Sequence, residues 1–380
     1  MTISATTQGI KPGVCTSTNR PANPFDGQVI YMTDVDQTAV WDGSTWVVLA
    51  PIAGGRNVII NGDFKVWQRG NARTYMNAGS YLADRWCTHL YQNAGHERVA
   101  GRATQYAIRV TSSSTAENGG GTRMWLTQKV ESLNSYRLRS QQVTLSFWVR
   151  FSAASATSST ATPYGNFTGV IGYYTSNTDS ATGTTDADTA TSLTLTNGSL
   201  PTTWTKYSVT GTCPSNLNNI HATFGFSGLG NTSASSNFWY EVAEVQLEVG
   251  AVATPFEFED FGTTLAKCQR YYEKTYDIGT NPGTATYNGM WTNGSTSNVS
   301  NNIIVPVRFK VEKRASPTVT AYRPSDGVSG SWGYGRSGAN GSAAATFDLI
   351  ATSGCRAYFD CGAAWVAAVP ECHWVASAEL

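Results

Sequence analysis

Hydrolysis of a glycosidic bond requires two carboxylates facing each other across a cleft, one held protonated and one charged. By residue type, Asp84, Glu97, Asp186, Asp188, Glu241 and Glu244 could supply such a pair. Glu241 and Glu244 stand an odd number of positions apart, which in a regular strand sends them to opposite faces. Asp186 and Asp188 share a face only if extended, and they lie in a Ser/Thr-rich stretch that reads as loop. Asp84, followed by Arg85 and Trp86, reads as the anchor of a turn or an ion pair. The chain has no GxSxG elbow, no HExxH pair, no Walker loop and no CxxC pair. Its GxGxxG, Gly333-Tyr-Gly-Arg-Ser-Gly338, opens no helix of a βαβ unit and so implies no dinucleotide site. The histidines, at 89, 96, 221 and 373, read as structural or exposed. The seven cysteines, at 15, 87, 213, 268, 355, 361 and 372, are an odd and scattered set, expected to be free buried thiols. Cys355, Cys361 and Cys372 with His373 lack the paired spacing of a zinc site. The expectation is a protein that is not an enzyme and has no catalytic residue.

Binding is the chemistry these residues suit. A glycan site sets aromatic rings against apolar sugar faces and uses a few polar groups to fix orientation. The stretch Asp326 to Ser342 reads as a Gly/Ser loop and carries Trp332, Tyr334 and Arg336, with Tyr322 just upstream. Flexible neighbours make a core position for Trp332 unexpected, so these four residues form the candidate glycan-binding site, with self-packing or a trimer contact as the stronger reading. Trp125, Trp148 and Trp204 offer a second groove, with core packing the stronger reading for each.

Composition supports this reading. Charged residues make up 14% of the 380-residue chain, against about 25% in an average globular protein. Gly, Ser, Thr and Asn take their place, and 12 Trp and 18 Tyr join them, a mixture that favours strands and loops over helices. Lys+Arg and Asp+Glu both number 26, so the formal net charge is zero. That argues against a dedicated nucleic-acid binder, which needs a basic stripe, and against electrostatic docking on membranes. Low and balanced charge also favours self-association. No apolar run reaches the length of a bilayer span, and the first residues lack a secretory-signal pattern. Synthesis in a cytoplasm, with no membrane insertion, is expected.

The elements that must position these residues are mostly β. Residues 1–54 read as a leader. Met1 to Ala22 is loop-like, and three short strands follow at 28–33, 38–42 and 45–49. So small a meander cannot bury a core alone, and it is expected to oligomerise or dock on another protein. Ala50 to Gly55 reads as a linker. Residues 55–260 read as a central antiparallel jelly roll or β-sandwich. In it, Val143 to Phe151 alternates apolar and polar residues, and Trp239, Ala243, Val245, Leu247 and Val249 line one face of a later strand. Ser152 to Thr162 and Thr175 to Thr191 are expected loops. A short linking helix is expected over 261–276, with a Thr N-cap and Leu265, Cys268 and Tyr272 on one face. Residues 277–380 read as a C-terminal β-sandwich in which Pro306 marks an edge strand or bulge.

Four segments carry a family likeness: Gly27-Gln-Val-Ile-Tyr-Met-Thr-Asp34 with Val40-Trp-Asp-Gly-Ser-Thr-Trp-Val47; Asn61-Gly-Asp-Phe-Lys-Val-Trp-Gln-Arg-Gly70 with Ala83-Asp-Arg-Trp86; Gln246 to Glu257 leading into Cys268-Gln-Arg-Tyr-Tyr272; and His373 to Leu380. In this order they resemble bacteriophage tail-fibre or head-fibre proteins. The resemblance implies a fibre or spike on the virion surface, released by lysis, that binds host cell-surface glycan during adsorption. It implies a homotrimer mounted on another virion structural protein through residues 1–54. An architectural capsid decoration or fibre adaptor, and a polysaccharide depolymerase spike, are the alternatives. The second and third segments also resemble the two ends of carbohydrate-binding jelly rolls of the galactose-binding-like kind. That likeness implies a structural calcium at Asn61 and Asp63, in competition with plain turn hydrogen bonds.

Overall fold

The computed structural model describes residues 12–34, 37–49, 55–76, 79–88, 94–112, 122–153, 166–176, 179, 188–196, 199–229, 238–292, 301–336, 339–362 and 369–380. The chain is mostly β, as its composition demands.

The leader contributes β1 (Gly13–Cys15), β2 (Val29–Met32), β3 (Gln37–Trp41) and β4 (Trp46–Leu49), hydrogen-bonded in that order. β1 lies within the stretch read as loop. Three residues without alternation carry no strand signal of their own, and parallel pairing of Gly13 to Cys15 with Ile30 to Met32 defines them. The β3–β4 turn is locally encoded: the Asp42 carboxylate accepts from Ser44 N at 2.8 Å and Thr45 N at 2.7 Å. Those backbone bonds hold its carboxyl down at about 2. Beneath the sheet only Ile30, Met32 and Ala39 are buried, among the described residues.

The large unit holds β5 (Ala72–Met76), β6 (Cys87–Thr88), β7 (Ala94–Ala100), β8 (Tyr106–Ser112), β9 (Thr122–Lys129), β10 (Gln142–Phe151), β11 (Phe167–Tyr174), β12 (Asp188–Leu195), β13 (Thr205–Thr212), β14 (Asn219–Leu229) and β15 (Trp239–Val249). They form two antiparallel sheets, ordered β13-β10-β15-β8-β7-β5 and β12-β11-β14-β9-β6, packed as a β-sandwich. Between β9 and β10 lie a helical turn, α1 (Ser132–Ser135), and a 3-10 turn over Tyr136–Leu138. β10 obeys its alternation: Val143, Leu145, Phe147, Val149 and Phe151 are all buried. Burying each is worth about 1.5–3 kcal/mol. Opposite them, Phe147 meets Phe224 at 4.6 Å between ring centroids and Phe151 meets Phe167 at 5.0 Å. Gly169 makes room for this: a Cβ there would sit 2.9 Å from Phe147 Cζ. Asp188 to Thr191, read as loop, opens β12 and pairs with β11 instead.

β15 departs from the expected single face. Glu244 adopts a left-handed φ of 49°, and the register against β10 shifts between Ser146 and Trp148. This bulge leaves Val245 and Leu247 in the core but turns Trp239 and Ala243, which oppose outward residues of β8 and β10, to the other side.

The helix is shorter than expected: α2 spans Phe261–Gln269, and its N-cap is Asp260, whose side chain accepts from Thr263 N at 2.9 Å. Tyr272–Lys274 is strand β16, because its backbone pairs with residues 375–377 and aromatic residues fit a pleated surface better than a helix end. The remaining strands are β17 (Trp291–Thr292), β18 (Asn301–Arg308), β19 (Thr318–Tyr322), β20 (Ser331–Arg336), β21 (Ala339–Ala351), β22 (Gly354–Gly362) and β23 (Val369–Ser377). They follow the path β16-β23-β20-β21-β22-β18, with β17 and β19 also on β23. The sheet curls around Ile303, Val305, Val307, Trp332, Phe359 and Trp374. β18, with Pro306, is the end of that path, in keeping with an edge strand.

Candidate functional site

The aromatic cluster read as a candidate loop site packs on its own sheet, the alternative weighed against glycan binding. Asp326 to Ser342 is largely strand: β20 and the start of β21 form a hairpin, with Trp332 opposite Ala343 and Tyr334 opposite Gly341. Trp332 is 0% exposed and Tyr334 7%. Alternation puts both rings on the inward face, and Gly333 and Gly335 occupy the other. Trp332 packs on Phe359 at 4.4 Å and on Tyr334 at 5.3 Å. The glycines therefore mark a smooth strand face and not a flexible loop. Tyr322 is half-buried and stands edge-on to Tyr276 at 6.2 Å. The side chain of Arg336 lies outside the described residues.

Asn61 and Asp63 are engaged in a turn. Asn61 Oδ1 accepts from Val66 N, and its Nδ2 donates to the carbonyls of Val66 and Asp84, all at 3.0 Å. Asp63 Oδ2 lies 2.9 Å from Lys65 Nζ. An amide with its oxygen already used and a carboxylate beside an ammonium do not fit a calcium site.

The turn belongs to a larger buried network built from three of the family-like segments. Asp84, 0% exposed, accepts from Gln68 N at 2.7 Å and from Gln68 Nε2 at 2.8 Å, and Arg69 lies 3.4 Å away. Burial raises its carboxyl to about 6, against the pull of Arg69 and Gln68. Arg69 Nη2 pairs with Glu379 at 2.7 Å, Arg85 pairs with the same carboxylate, and Tyr81 Oη donates to Leu380 O at 2.5 Å. The Arg69 guanidinium lies 3.5 Å above the Tyr272 ring and that of Arg85 lies 3.6 Å above Tyr271. Asp84 is thus an ion-pair anchor, in line with its sequence context, and its neighbours Gln68, Arg69 and Arg85 tie the sandwich to the C-terminal sheet.

The outer face of the six-stranded sheet is different in kind. One row crosses four strands in register: Arg150 opposes Glu241, Glu241 opposes Arg109, and Arg109 opposes Glu97. Glu241 sits at the centre, with side-chain exposure of 0%, and bonds Arg150 Nε at 2.5 Å and Arg109 Nη2 at 2.7 Å. Trp148 lies two residues from Arg150 and Trp239 two residues from Glu241, on opposite sides of the row. At about 3.4 Å per residue they stand roughly 14 Å apart. Trp204 flanks Arg150 from the start of β13. Each ring is half-buried and carries a guanidinium: Arg102 on Trp148 at 3.8 Å, Arg109 on Trp239 at 4.5 Å and Arg150 on Trp204 at 4.9 Å. Arg102 also pairs with Glu244 at 3.0 Å. Glu241 and Glu244 therefore serve one face, contrary to the odd-spacing expectation, because Glu244 itself lies in the bulge with a left-handed φ.

Trp148 and Trp204 do not join the core, where packing was the stronger expectation, and Trp125 is half-buried on β9. Sequence reasoning missed Trp239 and the three arginines. A usable signal was present in β10, where the polar positions Thr144, Ser146, Trp148 and Arg150 include a tryptophan.

The other candidates have structural surroundings. Asp188 is in β12 and Asp186 lies outside the described residues, as does His89. His221 and His373 are buried and bonded to Thr223 and Thr275, while His96 is buried in β7. Cys355 and Cys372 are free and buried, and the Cys361 side chain lies outside the described residues. No cluster of three or more metal-ligating side chains occurs among the described residues.

No protein-family model and no curated protein matches this chain. Among solved structures, a family 16 carbohydrate-binding module is 16% identical, with 40% of this chain and 84% of that one covered, at a TM-score of 0.24. The enzymatically active domain of bacteriophage CBA120 tailspike protein 4 is 10% identical over 51% of this chain and 21% of that one, at 0.28. The CBM22-1–GH10 modules of the Clostridium thermocellum xylanase 10B are 14% identical over 52% and 29%, at 0.30. Superpositions this loose carry no weight for ligand or activity.

Proposed function

We propose that this chain is a non-catalytic glycan-binding protein whose contact surface is the outer face of the six-stranded sheet around Glu241. The observation that carries this reading is the set of three half-buried tryptophans arranged about one in-register guanidinium–carboxylate row. The rings supply apolar faces, and the arginines and glutamates supply planar donors and acceptors. Three guanidiniums meet three carboxylates here, so the surface suits an uncharged, polyhydroxylated ligand better than nucleic acid. Cation–π stacking and β pairing fix the groups in advance, which lowers the entropic cost of binding.

The resemblance of the four segments to phage fibre proteins supports a place at a virion surface, with host cell-surface glycan as the ligand during adsorption and a homotrimer as the assembly. A mounting role for the leader is favoured by the exposed Val14, Phe25, Val29 and Val47 on and beside its small sheet. In titrations with host surface oligosaccharides, Trp148→Ala and Trp239→Ala should each weaken binding tenfold or more, about 1.4 kcal/mol. Unchanged affinity in folded variants, or release of reducing ends by the purified chain, would overturn the reading.

A further inference from the structure

A separate cleft of about 390 Å³ opens between the start of the large unit, the helical turn after β9 and helix α2. Its walls include Val58, Leu133, Arg137, Lys267, Arg270 and Tyr271. We propose that this cleft binds a carboxylate-bearing sugar, a uronic acid residue of the glycan. The proposal rests on the glycan-binding reading and adds a second subsite with a charge requirement.

Volume comes first. Small-ligand sites run from about 300 to 1,000 Å³, so one pyranose ring fits with room for its linkages. Two wall residues are held from behind: Glu131, which does not line the cleft, bonds Arg270 at 2.7 and 3.1 Å and accepts from Tyr271 Oη at 2.8 Å. The apolar part is Val58, the Tyr271 ring and Leu133, a residue 73% exposed on its helical turn. Such a surface suits the apolar face of a sugar ring.

Charge then selects the ligand. Three cations line the cleft and no carboxylate does. Lys267 is neutralised by Glu259 and Arg270 by Glu131. Arg137 has no carboxylate partner among the described residues; its Nη2 donates to the Gly55 carbonyl at 2.9 Å, which leaves its charge uncompensated. A guanidinium with further N–H groups free of any anion is a planar fork matched to a carboxylate. The cleft thus presents one unneutralised fork beside an apolar wall, the complement of a uronic acid.

The test uses the full chain, isothermal titration, and two probes: a galacturonic acid trimer and the same trimer with its carboxyls reduced to alcohols. The acid form should bind tenfold or more tightly than the reduced form. Arg137→Ala should abolish that difference and Arg137→Lys should restore part of it, with melting temperatures unchanged because the side chain is exposed. The Trp148→Ala, Trp239→Ala double variant should keep the difference while losing affinity for neutral oligosaccharides. Equal binding of the two probes, or an acid preference that survives Arg137→Ala, would overturn the cleft. Retained neutral binding in the double tryptophan variant would instead overturn the outer-face reading. Inorganic phosphate competing as well as the trimer would mark a general anion site and also reject the uronic acid assignment.

Discussion

Arg85 and Glu379, 294 positions apart, form an ion pair with side-chain exposures of 1% and 7%. Arg69 shares the same carboxylate. This acid therefore pairs with two guanidiniums that lie against Tyr271 and Tyr272, one of them shared with Asp84, and it fastens the residues after the last strand to the turn that begins the sandwich. Removing one partner of a buried pair leaves an uncompensated charge and costs about 3–5 kcal/mol. Glu379→Ala should lower the unfolding free energy by that amount in urea titrations, with Glu379→Gln losing less. A loss under about 1 kcal/mol would show that the pair is not a structural lock.

Glu241 is held from two sides, by Arg109 and by Arg150. Each arginine is about a third exposed, and loss of either leaves Glu241 paired with the other. Arg109→Ala and Arg150→Ala should each cost about 1 kcal/mol or less. Together they strand a buried carboxylate, and the double variant should cost about 3 kcal/mol or more, a clear excess over the sum. A double-mutant cycle by thermal or chemical denaturation measures the excess. Additivity would mean that Glu241 finds water when both arginines are gone.

His96 is fully buried in β7, and neither ring nitrogen has a hydrogen-bond partner among the described residues. Burial alone pushes its imidazole from 6.5 down to about 3. The fold excludes the charged form and the unfolded chain takes a proton readily, so the unfolded state binds more protons between these values. His96 thus leaves stability intact above pH 6.5 and erodes it as pH falls from 6.5 toward 3. At pH 5 the erosion is about 2 kcal/mol, since one pKa unit corresponds to about 1.4 kcal/mol. The stability loss between pH 7.5 and pH 5 should shrink by about that amount in His96→Leu. An identical pH profile in the two proteins would place the neutral imidazole elsewhere.

Much of the architecture was legible from local pattern, because its causes are local. Odd positions of Val143 to Phe151 are inside since a strand repeats every two residues. Asp42 with Gly43 makes its turn, Pro306 marks the end strand of its sheet, and Asp84 beside Arg85 anchors an ion-pair network. The balance of charge across the whole chain follows from composition alone. What alternation could not say is which face another sheet would cover. Trp332 and Tyr334 have the same local pattern as Trp148 and Arg150, yet curling of the C-terminal sheet encloses the first pair, and the outer face of the sandwich leaves the second pair half-open. The bulge at Glu244, the cleft at Arg137 and the grip of Glu379 on residues near 69 and 85 come from contacts between segments tens to hundreds of residues apart. Such contacts are decided by how surfaces close on one another, and no periodicity within a single segment encodes that.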